Sequence, residues 1–486
     1  MNLYQQLTDL MAKWTSLYGA YAILNWDKAT MMPRGSHSLR AEQLSVLSTI
    51  QHEIIASQEV AELLDRIDST ILNDWQKANI REIHRLHVIA TATAPELTGK
   101  LTRATVKCEE TWHAQANEIN QQSLERNFKE LLELTREMAF SLGEKLGISP
   151  YDALLEQHQP GLRTESVEAV FSKIEPFTFS LATTAKGSPR QQNMWPRVNK
   201  SQQKKFAKAL MENMEFDFST GRLDESRHPF TGGVTGDIRV CSYLKPEDIL
   251  LSISALMHET GHASYEARLP KQPPGQPVSD SRGMCIHEGL ALLFERQVGH
   301  STPYLGYLAK QLENNFGHVD YFNKERLCEH FNTIHTDGIR VTADDFTYPA
   351  HILIRYKIEK ELLSGELPVK QLKSRWQELF EQYLGISPLP HEGPWQDIHW
   401  AVGYFGYFPC YLIGAIISAQ LFNKAQENPL IEIELSRGKF NSLIQWLDEK
   451  IYKQGCYYEF KELIIAASGI ELSANDFIEN LEKRLK

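Results

Sequence analysis

Cysteine is sparse and scattered in this chain of 486 residues. The six cysteines are Cys108, Cys241, Cys285, Cys328, Cys410 and Cys456, and none forms a C-x-x-C pair. That spacing excludes a disulfide frame and predicts reduced thiols. Positive charge is also short: 51 Lys and Arg stand against 62 Asp and Glu, a net charge of −11, which argues against a nucleic-acid surface. Long apolar runs are missing too. The most apolar stretch, Tyr407–Phe422, is interrupted by Pro409, Gly414 and Gln420. It is too short and broken to span a bilayer and reads as a buried helix. The N-terminus, MNLYQQLTDLMAKW, has no basic segment leading into an apolar one, so the expected location is cytoplasmic. No internal repeat, low-complexity tail or composition break divides the chain, and residues 1–486 read as one domain.

What is present is helical periodicity. Leu3, Leu7, Leu10 and Met11 make one apolar face, and Leu131, Leu134, Met138 and Leu142 another. Ala41–Ile55 and Ile451–Ala466 follow the same pattern. The best strand signal is Ile238–Leu244, bounded by Gly236 and Pro246. Gly187–Pro196, Pro270–Pro277 and Ile386–Pro394 read as loops. The class is therefore mainly α with a small β element. Hydrophobic residues at 42% and charged residues at 23% suit a large buried core and a solvated surface.

Residues 258–262 read HETGH, an H-E-x-x-H motif. On a helix, positions i and i+4 share a face about 5–6 Å apart, so His258 and His262 can hold one metal ion. Glu259 is displaced around the helix toward a bound water, where a general base belongs. Pro246, Glu247 and Asp248 suit the first turn of that helix, and Pro270 ends it. Catalytic zinc takes three protein ligands and keeps a position for water. The second apolar helix, Met284–Gly299, carries Glu288 and Glu295 among leucines. A buried carboxylate needs a partner; serving as third ligand supplies one for Glu288. Glu295, two turns later, either orients a ligand histidine or pairs with Arg296 or another neighbour. His287 reads as a helix-end residue. The site takes one Zn2+ per chain, and Co2+ or Mn2+ suit the same donors.

With these residues stand NWDKATMMP (Asn25–Pro33), RAEQLSVLS (Arg40–Ser48), YDALLEQHQPG (Tyr151–Gly161), HPF (His228–Phe230), DIRVC (Asp237–Cys241), IHEGL (Ile286–Leu290), IRVTADDFT (Ile339–Thr347) and GPWQDIHW (Gly393–Trp400). Taken in order, these motifs resemble the thermostable carboxypeptidase (carboxypeptidase Taq) family of zinc metallocarboxypeptidases. The resemblance implies a single large, helical zincin-type domain with a deep active-site cleft, in a homodimer. It also implies cleavage of single C-terminal residues from peptides, with broad specificity. Two positions depart from the family pattern: Cys241 stands where D-x-R-x-T has its threonine, and Leu290 where H-E-S/G-Q has its glutamine.

A carboxypeptidase has to hold a free carboxylate, which arginine's planar fork does best. By its place in the family motif, Arg340 is the first choice. Arg355 and Arg239, the latter paired with Asp237, are the other candidates, and for each a structural salt bridge is the alternative. His399 and Tyr411 are the candidate donors to the developing oxyanion, with Asp397 or Gln396 fixing their loop. Two rival functions remain. One is a zinc oligopeptidase or endopeptidase of the same type. The other is a peptide-binding homologue with weakened catalysis, which the intact H-E-x-x-H glutamate argues against.

Overall fold

Most of the apolar periodicity resolves into helix, and the one strand signal resolves into a sheet. The computed structural model describes residues 2–114, 118–185, 195–226, 228–318 and 320–485. The expected loop Gly187–Pro196 falls largely outside the described residues. The other two expected loops are irregular, apart from short 3-10 turns at Pro277–Ser279 and Pro390–Glu392. None of the six cysteines is joined in a disulfide. Among the described residues no helix is long and apolar enough to cross a membrane.

These residues form two compact units, each assembled from separate stretches of chain. The first comprises Met1–Ala90, Asn193–His330 and Ile417–Leu472. Its N-terminal helices Leu3–Thr30 and His37–Ile55 bury Leu7, Met11 and Ile55 together with Val60, Leu63 and Ile83. It also holds a three-stranded sheet made of β1 (Gly221–Glu225), β2 (Phe230–Val234) and β3 (Asp237–Ser242), in the order β1-β3-β2. The central strand β3 pairs parallel with β1 and antiparallel with β2, placing Cys241 opposite Asp224 on one side and Phe230 on the other. Only β3 carries a clear strand pattern. The GRLDE of β1 is polar and the FTGGV of β2 contains two glycines, both poor strand formers.

The second unit comprises Thr91–Gln192, Phe331–Ile416 and Ser473–Lys486. Helices Pro95–His113 and Glu118–Leu146 pair with each other, and Tyr348–Ser364 pairs with Leu372–Leu384. The ring of Phe128 lies 4.9 Å from Trp395, 6.5 Å from Trp400 and 6.0 Å from Phe405, forming an aromatic cluster in this unit.

Three expectations need adjustment. The helix bearing HETGH runs Ile249–Arg268, so Pro246 and Glu247 precede it, and Asp248 caps it by accepting from the Leu251 N–H at 3.1 Å. Ile451–Ala466 is not one helix. It holds a 3-10 turn at Tyr452–Gln454 and a new helix from Phe460. Between them Gly455 sits at φ 49, where a Cβ would meet the Val278 carbonyl oxygen at 2.5 Å. The Met284–Gly299 stretch changes pitch partway: α-helix from Met284 to Leu292 is followed by a wider π-helical turn over Leu293–Val298. Such turns frequent functional sites.

Candidate active site

The helix Ile249–Arg268 presents His258 and His262 toward the helix that starts at Met284. Close approach of the two is possible because residue 261 is glycine: a Cβ there would come within 2.8 Å of Ala291 Cα. Nε2 of His258 lies 3.8 Å, and Nε2 of His262 3.7 Å, from the same Glu288 oxygen. Among the described residues these three form the one group of His, Cys, Asp or Glu side chains whose ligand atoms all lie within 4.8 Å of one another.

Metal–nitrogen bonds of about 2.0–2.1 Å in a tetrahedral site put neighbouring donors roughly 3.3–3.5 Å apart, so the set fits a divalent cation with a slight contraction. The outer nitrogens are engaged as well. Nδ1 of His258 is 2.8 Å from Glu295 Oε2, and Nδ1 of His262 is 2.5 Å from His287 Nδ1. His287 Nε2 in turn lies 2.8 Å from Glu266 Oε1. Of the two readings open for Glu295, both contacts are present: Oε2 faces His258, and Oε1 lies 4.0 Å from Arg296 Nε. His287 is more than a helix-end residue.

The carboxylates and imidazoles form a crowded, mutually coupled cluster. Burial lowers the pKa of His258, but the charges of Glu288 and Glu295 outweigh it and carry the imidazole up to about 10. Burial and the neighbouring His287 and His258 hold His262 well below the usual histidine range. Glu259 is buried, which raises its pKa against the opposing pull of His258 and of Thr231. Thr231 on β2, which sequence reasoning passed over, brings its hydroxyl to 2.9 Å from Glu259 Oε2.

The Asp237–Arg239 pair lies on β3 in the same unit. Arg239 donates to both carboxylate oxygens of Asp237 at 2.9 and 2.8 Å. The guanidinium stacks 4.6 Å from the ring of Trp26, and Arg222, its register partner on β1, lies 5.0 Å from that ring. Cys241 and Leu290 are wholly buried. Burial pushes the Cys241 thiol up to about 11, so it is neutral at physiological pH.

The remaining sequence candidates gather in the second unit around Asp397. Arg340 donates from Nε and Nη2 to Asp397 Oδ1 at 2.9 and 2.7 Å. Arg355 donates from Nε to Oδ2 at 2.7 Å and from Nη1 to the His351 carbonyl at 2.8 Å. One buried carboxylate therefore serves two guanidiniums. Burial opposes ionisation of Asp397, but the two arginines hold it far below the usual carboxylate range. Gln396 accepts from the Arg340 main-chain N–H and donates to the Gly338 carbonyl, fixing the turn. The Arg340 guanidinium lies 4.7 Å from the Tyr411 ring, whose hydroxyl is 3.0 Å from His399 Nε2. Burial and the positive charge of Arg340 lower His399 to about 3, so it is neutral at pH 7.

A family model for carboxypeptidase Taq (M32) metallopeptidases matches residues 6–485. The chain belongs to this family. The match runs across both units. Carboxypeptidase 1 of Bacillus subtilis is 31% identical over 495 residues, covering 99% of this chain and 97% of that protein. Thermostable carboxypeptidase 1 of Thermus thermophilus is 29% identical, covering 99% and 98%. Among solved structures, metallocarboxypeptidase 1 of Trypanosoma cruzi superposes with a TM-score of 0.95 at 28% identity, over 100% of this chain and 99% of that one. The M32 carboxypeptidase of Deinococcus radiodurans gives 0.93 at 27% identity, over 99% and 98%. The fold is the helical, zincin-like one of these carboxypeptidases. Family membership makes the chain a peptide hydrolase of the metallocarboxypeptidase type, dependent on a divalent metal.

Proposed function

We propose that this metallocarboxypeptidase releases single residues from the free C-terminus of peptides, with broad specificity, using one zinc ion held by His258, His262 and Glu288. The observation that carries the reading is the donor set: two imidazole nitrogens 3.8 and 3.7 Å from one Glu288 oxygen, with a buried glutamate next to the first histidine. Mixed nitrogen and oxygen donors suit zinc, and cobalt or manganese can replace it. When bound, zinc acts as a Lewis acid and brings the pKa of the water it holds to about 7.

Glu259 takes the proton of the attacking water and passes it to the leaving amine. Burial raises its pKa toward the working range of a general base. The Thr231 hydroxyl engages Oε2, leaving Oε1 for the proton. The family resemblance implies that the Tyr411 hydroxyl, paired with neutral His399 at 3.0 Å, is the donor to the developing oxyanion. Arg340 anchors the substrate's α-carboxylate. Two guanidiniums on one carboxylate leave its cluster with a surplus positive charge. Arg355, 1% exposed, supports Asp397 from within. Arg239, already bidentate on Asp237, is the alternative anchor. The family resemblance also supports a homodimer; the composition of the chain supports one catalytic domain over residues 1–486 and a cytoplasmic location.

Metal analysis of the purified protein, followed by mass spectrometry of a digested free-acid peptide, tests the reading. The expected result is about one zinc per chain and a ladder of products each one residue shorter. Internal fragments appearing first replace it with an oligopeptidase. Absence of turnover with zinc bound replaces it with a peptide-binding homologue.

A further inference from the structure

We propose that His287 and Glu266 are positioning residues for the metal site: a two-residue relay that orients His262 and fixes which of its nitrogens faces the cation. The inference rests on reading His262 as a ligand. Three side chains stand in line. His262 Nδ1 is 2.5 Å from His287 Nδ1, and His287 Nε2 is 2.8 Å from Glu266 Oε1. His262 and His287 are 12% and 13% exposed, and Glu266 is 28% exposed at the outer end.

Proton counting sets the direction of the line. A carboxylate accepts, so His287 carries a proton on Nε2 and donates it to Glu266. Between the two Nδ1 atoms there is room for one proton. If it belongs to His287, that ring is a cation and His262 accepts at Nδ1; His262 then bears its own proton on Nε2 and cannot ligate. If it belongs to His262, His287 is neutral, and the His262 Nε2 lone pair faces Glu288 and the cation position. A cation held at His262 Nε2 would require the second arrangement.

The other histidine is built to the same end by a shorter route, since His258 Nδ1 donates directly to Glu295 at 2.8 Å. Each ligand histidine is thus backed by a carboxylate, one directly and one through an interposed imidazole. Such outer partners restrain the ring and raise its basicity, and losing one typically weakens metal binding about 10- to 100-fold.

The test is zinc affinity, measured by competition with a chromophoric chelator, alongside the melting temperature of the metal-free protein. His287→Phe keeps the ring's bulk and removes the acceptor. It should raise the zinc Kd by roughly 10- to 100-fold while leaving the metal-free melting temperature unchanged. In His287→Asn the Oδ1 can still accept from His262, so the loss should be smaller. Glu266→Gln should fall in the same direction, since its amide oxygen accepts without the charge.

Wild-type zinc affinity in His287→Phe overturns the relay, as does an equal loss in His287→Asn and His287→Phe. Should His287→Phe fail to fold, wild-type affinity in both His287→Asn and Glu266→Gln overturns it. His262→Ala separates the two claims. If it keeps full zinc, the ligand reading fails. If it loses zinc while His287→Phe does not, the relay alone fails.

Discussion

The hydroxyl of Thr231 stands 2.9 Å from Oε2 of Glu259 and 2.8 Å from the main-chain oxygen of the same residue. A strand residue therefore touches Glu259, the proposed general base, 28 positions further along the chain. It holds that side chain against the helix that carries it.

A hydrogen bond to a charged group contributes about 1.5–3 kcal/mol. Thr231→Val keeps the shape and removes the donor, and should lower kcat by roughly 10-fold or more, with KM and metal content near wild type. Thr231→Ser should restore most of the rate. Steady-state kinetics with metal analysis checks this; a wild-type kcat in the valine variant would remove Thr231 from any role at Glu259.

Glu259→Gln retains the side chain's outline but cannot accept a proton. The variant should bind metal and peptide normally and lose at least ~100-fold in kcat, the lower end of general-base contributions. Turnover at the wild-type rate would place the base elsewhere.

Stability should depend on pH through Glu82. Its carboxylate is buried, which by itself raises the pKa, but the charges of Arg282, Arg85 and Arg81 outweigh burial and lower it from 4.5 to about 2. Arg282 donates to both oxygens at 2.8 and 2.9 Å. Because the folded value lies below the unfolded one, the contribution is complete above about pH 4.5 and is lost as pH falls toward 2. It amounts to roughly 3 kcal/mol. Glu82→Gln leaves Arg282 buried with half its charge pair and should cost about 3–5 kcal/mol at pH 7. Denaturant unfolding should find that gap narrowed near pH 3; an equal gap at both pH values would refute the assignment.

Arg340 makes the sharpest prediction about substrate. A C-terminal amide cannot form the charged bidentate contact, so an amidated peptide should be cleaved at least ~10-fold more slowly than its free acid. Arg340→Ala should bring that ratio toward one, chiefly by slowing the acid. Parallel assays of the two peptides decide it, and equal rates in the wild type would end the carboxylate-anchor reading.

Short-range pattern carried much of this protein. The i, i+4 spacing of His258 and His262 follows from helical pitch, and an acid among the leucines after Met284 marked Glu288 without any knowledge of the fold. Helix class, the β3 strand and the end before Pro270 were legible for the same reason: each depends on residues within a turn or two. Glu266, four residues beyond His262 on the same helix, was within reach of that logic, but its partner His287 was not.

What tertiary structure alone decided are the pairings between distant segments. Arg340 and Arg355 could be named separately as candidates, yet that both share Asp397, 57 and 42 residues away, depends on how a turn, a helix and a loop pack. Thr231 was hidden because FTGGV becomes a strand only through its ladder with β3. The wide turn at Leu293–Val298 and the break at Gly455 are likewise set by neighbouring backbone. Periodicity records which face of an element is apolar; which polar groups then meet is settled by packing, where each buried donor must find an acceptor.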